Sequence, residues 1–523
     1  MDEIRYAAGP VSFLFRDVAD GRGGTRRRKV KQLLWGDWVR VTGDDAQAGW
    51  KQVSFGRKPY LMRAGDLRDK RVLEIIFLDV GQGDGAILTE PGAHADPRII
   101  VIDAGAGDNM ARFLHWRFKD FPETGRLHGC IITHSDKDHY GGFRKVFADR
   151  RVRVGHLWHN GIIERAGDDL LGPAAGGYLT DIRVTHEEAR ALLDDPAMTG
   201  SKQYPATLKA ALERNPGLRI EALTALHGAR QDGRTYVPGF TPDDPGPLAL
   251  EVLGPVPEPD AAGRPRLRQF GASGAAHLYK ESITKNGHSV LIRGDFNGFR
   301  FLLGGDLNRS AERFLLLHYG GAPVPPPLTA DGDPALARAD TAPVVDAARA
   351  RLAVDLMKAC HHGSADVSAG FARAVQPAAF VISSGDAEGH VHPRPDLLGL
   401  LGKAGRGERP LLLATELLRS TRERGDPDLA DRLQAASEAI ATERARGAAA
   451  DQTVLDRLRT EQATIKKRLT YRNVGVYGAI NLRTDGETAV IAFLKEAAAP
   501  TERWFSYVLK RDPLTGAFAV ADG

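Results

Sequence analysis

Cysteine is almost absent from this chain: Cys130 and Cys360 are the only two among 523 residues. Two thiols cannot build a disulfide framework or a cysteine-rich zinc ribbon, and their scarcity fits a reducing compartment. Each reads as a small buried apolar residue. An excess of one charge is missing as well: the formal net charge is +4, so total charge alone does not call for a polyanionic partner. Long apolar runs are also lacking. The most apolar, "VLEIIFLDV" and "AAFVISS", are far shorter than the ~20 residues needed to cross a bilayer. The opening "MDEIRYAAGPVSF" has no basic start followed by an apolar stretch, as a secretion signal would. The expectation is a cytoplasmic protein that makes no membrane contact. What is present is 42% hydrophobic and 26% charged residues, a balance that supports a substantial core. The length suits one large α/β domain with appendages.

Residues 1–30 run into "GRGGTRRRKVK" and read as a flexible basic arm, either solvated or touching a polyanion. Residues 31–68 alternate in short segments, "LLWGDWVRVTG", "AGWKQVSF" and "KPYLMRAGDL", with glycine and aspartate at the turns. This stretch resembles a small bacterial SH3-like barrel. Residues 69–523 change character, with apolar strands that end in polar, glycine-rich loops: "RVLEIIFLDVGQGDGAIL", "RIIVIDAGAGDN", "LHGCIITHSDKDH". Strands of this kind deliver their loops to one edge of a sheet, where chemistry is commonly placed. Three insertions are expected in this domain. Residues 160–245 are polar and partly helical, and residues 320–350 hold the proline-rich loop "APVPPPLTADGDP". Residues 426–470 carry Leu429, Leu433, Ala436 and Ile440, then Leu455, Leu458, Ile465 and Leu469. That three-and-four spacing predicts two amphipathic helices in a hairpin, packed on the core or offered to a partner.

The stretch "THSDKDHYGG" puts His134, Asp136, Asp138 and His139 on one loop after the strand "GCIIT". Imidazoles and carboxylates are what divalent cations take as ligands. An isolated HxDxDH can equally be a polar surface loop.

The rest of the chain resembles the metallo-β-lactamase-fold hydrolases, and among them the soluble hydrolase domain of ComEC-type DNA-uptake proteins. That branch reads HxDxDHxGG, which "HSDKDHYGG" matches at every fixed position. "FLDVGQGDGAIL", "IVIDAG", "FLLGGDL", "KACHHGSADVS" and "VISSGDAEGHVHP" follow in the branch's order. The resemblance implies an αββα sandwich preceded by the SH3-like module and carrying the helical-hairpin insertion. It also implies two divalent ions, zinc or manganese with magnesium a third candidate. His134 and Asp136 would hold one ion, Asp138 and His139 the other, with Asp306 bridging. Asp103 would brace the loop, and Asp84 would face the site. His362 is expected at the metals, as ligand or as the group protonating the leaving oxygen, and His392 competes for the other of those roles. His361 and His390 are functional or merely exposed. Most of the wider fold has a third histidine before the GD strand; here "NGHS" stands there, with His288 a replacement ligand or a turn residue.

Two ions about 3.5–4 Å apart can activate a shared water and stabilise a departing oxygen. Asp136 in place of an imidazole makes the donors richer in oxygen, which favours manganese or magnesium over strict zinc. The implied activity is a metal-dependent phosphodiesterase acting on nucleic acid or a nucleotide, and free-standing members with added SH3-like modules resemble effectors of bacterial conflict or antiphage defence. The alternatives are an interaction protein recruiting partners through barrel and hairpin, and a small-molecule esterase or lactonase. Lys137 and Arg144 beside the loop, with Arg26, Arg27, Arg28 and Lys29, are candidate phosphate contacts.

Overall fold

The computed structural model describes residues 3–21, 24–91, 97–118, 125–271, 280–327, 333–385, 392–415, 427–476, 479–495 and 499–521. The architecture is mixed α/β. One ten-stranded sheet runs in the order Arg219–Ala222, Val152–His159, Gly125–Ile131, Arg98–Ala104, Gly85–Glu90, Leu73–Phe77, Ile480–Thr484, Thr488–Leu494, Trp504–Arg511, Phe518–Val520. Its first four strands are parallel and the rest antiparallel. An eight-stranded sheet runs Ala229–Gln231, Arg234–Tyr236, Leu248–Gly254, Leu291–Phe296, Phe299–Gly304, Leu356–Lys358, Ala379–Ile382, Leu411–Ala414, its last four strands parallel.

These strands are apolar on both faces because both faces are covered. Ile75, Leu88 and Ile100 join one cluster with Leu250, Ile292, Phe301 and Val381 of the other sheet. Their neighbours Ile76, Ile87 and Val101 point the opposite way, into Met110, Phe113, Phe143, Leu192 and Leu208 from helices. Leu302, Met357 and Phe380 likewise meet Phe314, Val345, Phe371 and Leu397 on helices across the second sheet. The parallel strands of both sheets end at one edge, and the loops that carry the motifs meet there.

Several boundaries differ from the sequence reading. Residues 3–34, expected to be mostly a flexible arm, form strands Glu3–Ala7, Val11–Ala19 and Thr25–Leu34 of a seven-stranded antiparallel sheet that extends to Leu67–Arg68. Leu14 and Leu33 enter the core of that sheet with Val39, Val53 and Met62. Arg27 is ion-paired with Asp45, and the Lys29 ammonium lies over the Phe13 ring. The basic run is therefore a strand in which Arg27 is ion-paired, while Arg26, Arg28 and Lys29 keep exposed side chains. Within 160–245, residues 219–222 and 229–236 are strands of the two large sheets. Strand 219–222 pairs with the distant Val152–His159, whereas 229–231 and 234–236 form a hairpin of three-residue strands, too short for a clear alternating pattern. Within 320–350 the helix Ala342–Leu352 buries Val345, Ala348 and Leu352. The hairpin consists of Pro427–Ala445 and Gln452–Val476; residue 426 lies outside the described residues. No helix among the described residues is long and apolar enough to cross a membrane.

Candidate metal centre

The strand Gly125–Ile131 runs out into Thr133 and His134, and a short turn, Lys137–Tyr140, follows Asp136. Backbone approaches fix this loop against its neighbours. A Cβ on Gly83 would lie 1.8 Å from the Asp138 carbonyl oxygen, and one on Gly305 would lie 2.4 Å from Thr133 Oγ1. Only glycine admits such contacts. Asp103, His361 and His362 hold left-handed backbone, with φ of 53°, 50° and 52°. For non-glycine residues this costs on the order of 1–3 kcal/mol each, a strain typical of positions where a side chain must be aimed.

Four buried residues, Asp84, His139, Asp306 and His362, bring one donor atom each within 4.8 Å of one another and could hold a metal ion. The geometry separates their duties. His139 Nε2 and His362 Nε2 face each other at 3.3 Å, with Asp306 Oδ2 at 3.3 Å and 3.1 Å from them. Asp138 Oδ2 lies 3.4 Å from His362 Nε2 at the half-buried mouth. Asp84 approaches from the other side, 3.2 Å from His362 Nδ1 and 3.9 Å from His139 Nδ1, and its carboxylate is ion-paired with buried Lys358. Asp84 thus steadies the imidazoles from behind, and the carboxylates nearest the converging Nε2 atoms are those of Asp306 and Asp138.

The hydrogen-bond network assigns the tautomers. His139 Nδ1 donates to Asp103 Oδ2 at 2.8 Å, and His362 Nδ1 has the Ser383 carbonyl at 3.2 Å. Each ring therefore turns a lone pair at Nε2 into the cluster, as a metal-binding histidine does. For His134, the Thr133 hydroxyl spends its proton on Asp103 and the Ser289 hydroxyl spends its own on the Asn286 carbonyl. Both can only accept from His134 Nδ1, at 3.1 Å and 3.3 Å. That leaves His134 Nε2 unprotonated, 3.3 Å from Asp136 Oδ2. Ring nitrogens and carboxylates facing one another, with Asp306 Oδ1 buried and lacking a hydrogen-bond partner, call for positive charge between them. Burial disfavours charge on His139 and His362, but the carboxylates of Asp306, Asp103 and Asp84 raise both well above the ordinary imidazole value, and a divalent ion can take the place of those protons. The donor set fits a divalent ion.

The surrounding charges hold these acids ionised. Burial pushes the Asp306 carboxyl up, but His362 and His139 outweigh it and set it well below the usual range. Burial also opposes ionisation of Asp136, and its contacts with His134 and Lys285 bring it down to about 2. Asp138 is lowered too, against burial, through His362 and His139.

The structure brings together His134, Asp136, Asp138, His139, Asp306, His362 and Asp84, with Asp103 bracing His139 and Thr133. His134, Asp136 and Asp138 stand outside the four-residue group, which includes Asp84 instead. His361 Nε2 is 4.0 Å from Asp306 Oδ2 at the rim, and the half-buried His392 ring lies 6.4 Å from that of His361. His288 is no replacement ligand: its Nε2 is bonded to the Arg268 carbonyl at 2.6 Å. His390 lies outside the described residues. Sequence reasoning passed over Thr133, Ser289, Ser383, Lys358 and Lys285. The one local signal was Lys358, a lysine set in the apolar run "VDLMKAC"; the others act through partners far away in sequence. No known family model matches this sequence, and a comparison with curated proteins finds no match.

Proposed function

We propose that this chain is a metal-dependent hydrolase of the metallo-β-lactamase αββα type, preceded by an SH3-like module, whose substrate is a phosphodiester of nucleic acid or a nucleotide. The observation that supports it most is the convergence of His139 Nε2 and His362 Nε2 on Asp306 within an HxDxDHxGG framework. Asp138, His139, Asp306 and His362 would hold a divalent ion, and two nitrogens with two carboxylates suit zinc or manganese, with magnesium next. His134 and Asp136 offer a second position. When bound, such an ion acidifies a water and stabilises charge on a departing oxygen. Asp103, Thr133 and Ser383 keep the imidazoles in the binding tautomer, and Asp84 with Lys358 closes the rear of the site. His362 is enclosed as a ligand, so protonation of the leaving oxygen falls to His361 or His392 at the rim.

Lys137 and Arg144 are exposed beside the loop, and Arg26, Arg28 and Lys29 are exposed on the N-terminal sheet, so a polyanion has cations to meet. The deciding experiment offers single- and double-stranded DNA, RNA, cyclic nucleotides, generic phosphodiesters and a lactone, each with zinc, manganese or magnesium. Metal-dependent turnover of a phosphodiester is expected. Binding of a long nucleic acid should weaken steeply with salt, by a log–log slope of about 0.7–0.9 per phosphate neutralised. Turnover of lactones alone would make the chain an esterase, and a protein that binds no ion yet folds normally would be an interaction module.

A further inference from the structure

The two halves of the centre are unequally equipped. On the His139–His362 side two imidazoles and the Asp306 carboxylate converge, with Asp138 close by. On the other side His134 Nε2 and Asp136 Oδ2 lie 3.3 Å apart. Ser289 adds no ligand to this half: its hydroxyl lies behind the His134 ring, 3.3 Å from His134 Nδ1, accepts from the Asp306 amide at 2.9 Å and donates to the Asn286 carbonyl at 2.8 Å. His288 is turned away to Arg268.

A cation of the chain's own already serves this half. Lys285 Nζ lies 2.5 Å from Asp136 Oδ1 and 3.4 Å from Glu164 Oε1, with its side chain only 12% exposed. Its helix, Glu281–Gly287, is pinned in place: the Ile283 carbonyl accepts from Asn308 Nδ2 at 2.8 Å, and the Thr284 hydroxyl bonds the Phe270 backbone at 2.9 Å and 3.0 Å. The ammonium is therefore a fixture of the site. It draws on the charge of Asp136, whose carboxylate lies 3.3 Å from His134 Nε2, and it places a like charge next to any ion bound there. Both effects weaken a divalent cation at that position and act less on the His139–His362 position, whose donors Lys285 does not pair with among the described residues.

We propose that Lys285 sets the ion count of this centre: one divalent ion is held tightly by Asp138, His139, Asp306 and His362, and a second binds weakly at His134 and Asp136 because the lysine ammonium occupies Asp136. The inference rests on the metal-hydrolase reading and adds to it an asymmetry that two-ion chemistry does not require. Under this arrangement the Lys285 ammonium supplies positive charge on the side of the site where the weak ion is absent.

The test is a titration of the full-length, chelator-stripped protein with manganese, followed by calorimetry and by the electron paramagnetic resonance of the bound ion. For the wild type, the second equivalent should bind at least about tenfold more weakly than the first, and one equivalent should give the hyperfine pattern of an isolated ion. Lys285→Gln should tighten the second equivalent by about tenfold or more, leave the first unchanged, and produce the exchange-coupled signal of paired ions at two equivalents. Lys285→Arg should behave as wild type. Asp136→Asn should lose the weak equivalent and keep the tight one. Two equally tight equivalents in the wild type, an unchanged second equivalent in Lys285→Gln, or loss of the tight ion in Asp136→Asn would each overturn the proposal. Should Lys285→Gln fail to fold, Lys285→Met serves as the neutral variant, and the wild-type and Asp136→Asn titrations decide independently of both. A wild type that binds no ion at all would sink the metal-hydrolase reading itself, which is a different result from two equal sites.

Discussion

Asp138 stands at the mouth of the centre with its side chain 24% exposed, 3.4 Å from His362 and within 3.3 Å of the Gln82 amide. Its carboxylate faces the site rather than filling the core, so Asp138→Ala should lower the melting temperature only slightly. Partners that merely orient metal ligands cost about 10–100-fold when removed; loss of the carboxylate itself should lower hydrolysis by at least about 100-fold. Full activity in that variant would remove Asp138 from the site. Glu312 carries a separate prediction at this scale. Burial pushes its carboxyl up to about 8; the Ser368 amide at 2.5 Å opposes this, while Asp366 and Asp340 add to it and Arg309 offsets them. The unfolded chain releases this proton near the ordinary value of 4.5. Between those two values the folded state binds a proton that the unfolded state does not, so stability falls as pH rises across the window and levels off above it. Glu312→Gln keeps an acceptor for the Ser368 amide and removes the titration. It should stabilise by on the order of a few kcal/mol at pH 8 and hardly at all at pH 4.5, as measured by urea unfolding at both values. At this scale the HxDxDH residues could be read from their spacing. Lys285 and Ser289 could not, because each matters only through a partner on another element.

Among the elements, the hairpin Pro427–Ala445 and Gln452–Val476 is the clearest case of periodicity turned into structure. Ala436, Ile440, Leu455 and Ile465 are buried, and Gln462 reaches Ser437 while Arg432 pairs with Glu461 across the two helices. Asp451 caps the second helix by accepting from the Thr453 amide at 2.8 Å. The second helix also lies against Asn109–Phe118. Because much of the apolar stripe is shared between the two helices, replacing both with a glycine–serine linker removes donor and acceptor surfaces together. The shortened chain should remain soluble and bind its ion with unchanged affinity. Aggregation would show that the stripe is covered mainly by the core. The strands of the N-terminal sheet illustrate the opposite case. Thr25–Leu34 has four cations in a row, yet it pairs along its whole length with Val11–Ala19, the strand just before it, and the charge run masks that hairpin.

At the level of the whole molecule, the N-terminal sheet is docked onto the antiparallel end of the ten-stranded sheet. Leu34 and Trp35 pack with Val72, Val490 and Ala492. Arg483, buried, bonds the Trp35 carbonyl at 2.7 Å, Asp37 at 3.2 Å and Glu74 at 2.8 Å. Burial raises the Glu74 carboxyl, and Arg483, Arg117 and Arg71 together bring it down to about 2. Its ordinary value is 4.5, so the stabilisation is complete above that pH and is lost as pH falls toward 2. Arg483→Met leaves Glu74 buried with fewer partners and should cost about 3 kcal/mol at neutral pH, the scale of a broken buried ion pair. The loss should shrink in acid, which denaturant titrations at pH 7 and pH 3 would resolve. Equal losses at both values would mean that Arg483 acts through packing alone.

The amino-acid sequence by itself determined that the chain is α/β, that its strands end in loops rich in histidine and aspartate, and that a helical hairpin interrupts the domain near its end. These are properties of short windows: side-chain period, turn residues and ligand spacing all act within a few residues. The tertiary structure decided the rest. It brought the loop after Gly125–Ile131 against those after Phe299–Gly304 and Leu356–Lys358, turned His288 away from the site, and set Lys285 beside Asp136. Each of these depends on contacts between residues far apart in sequence, whose geometry is fixed only when both sheets have packed and the buried charges have found partners.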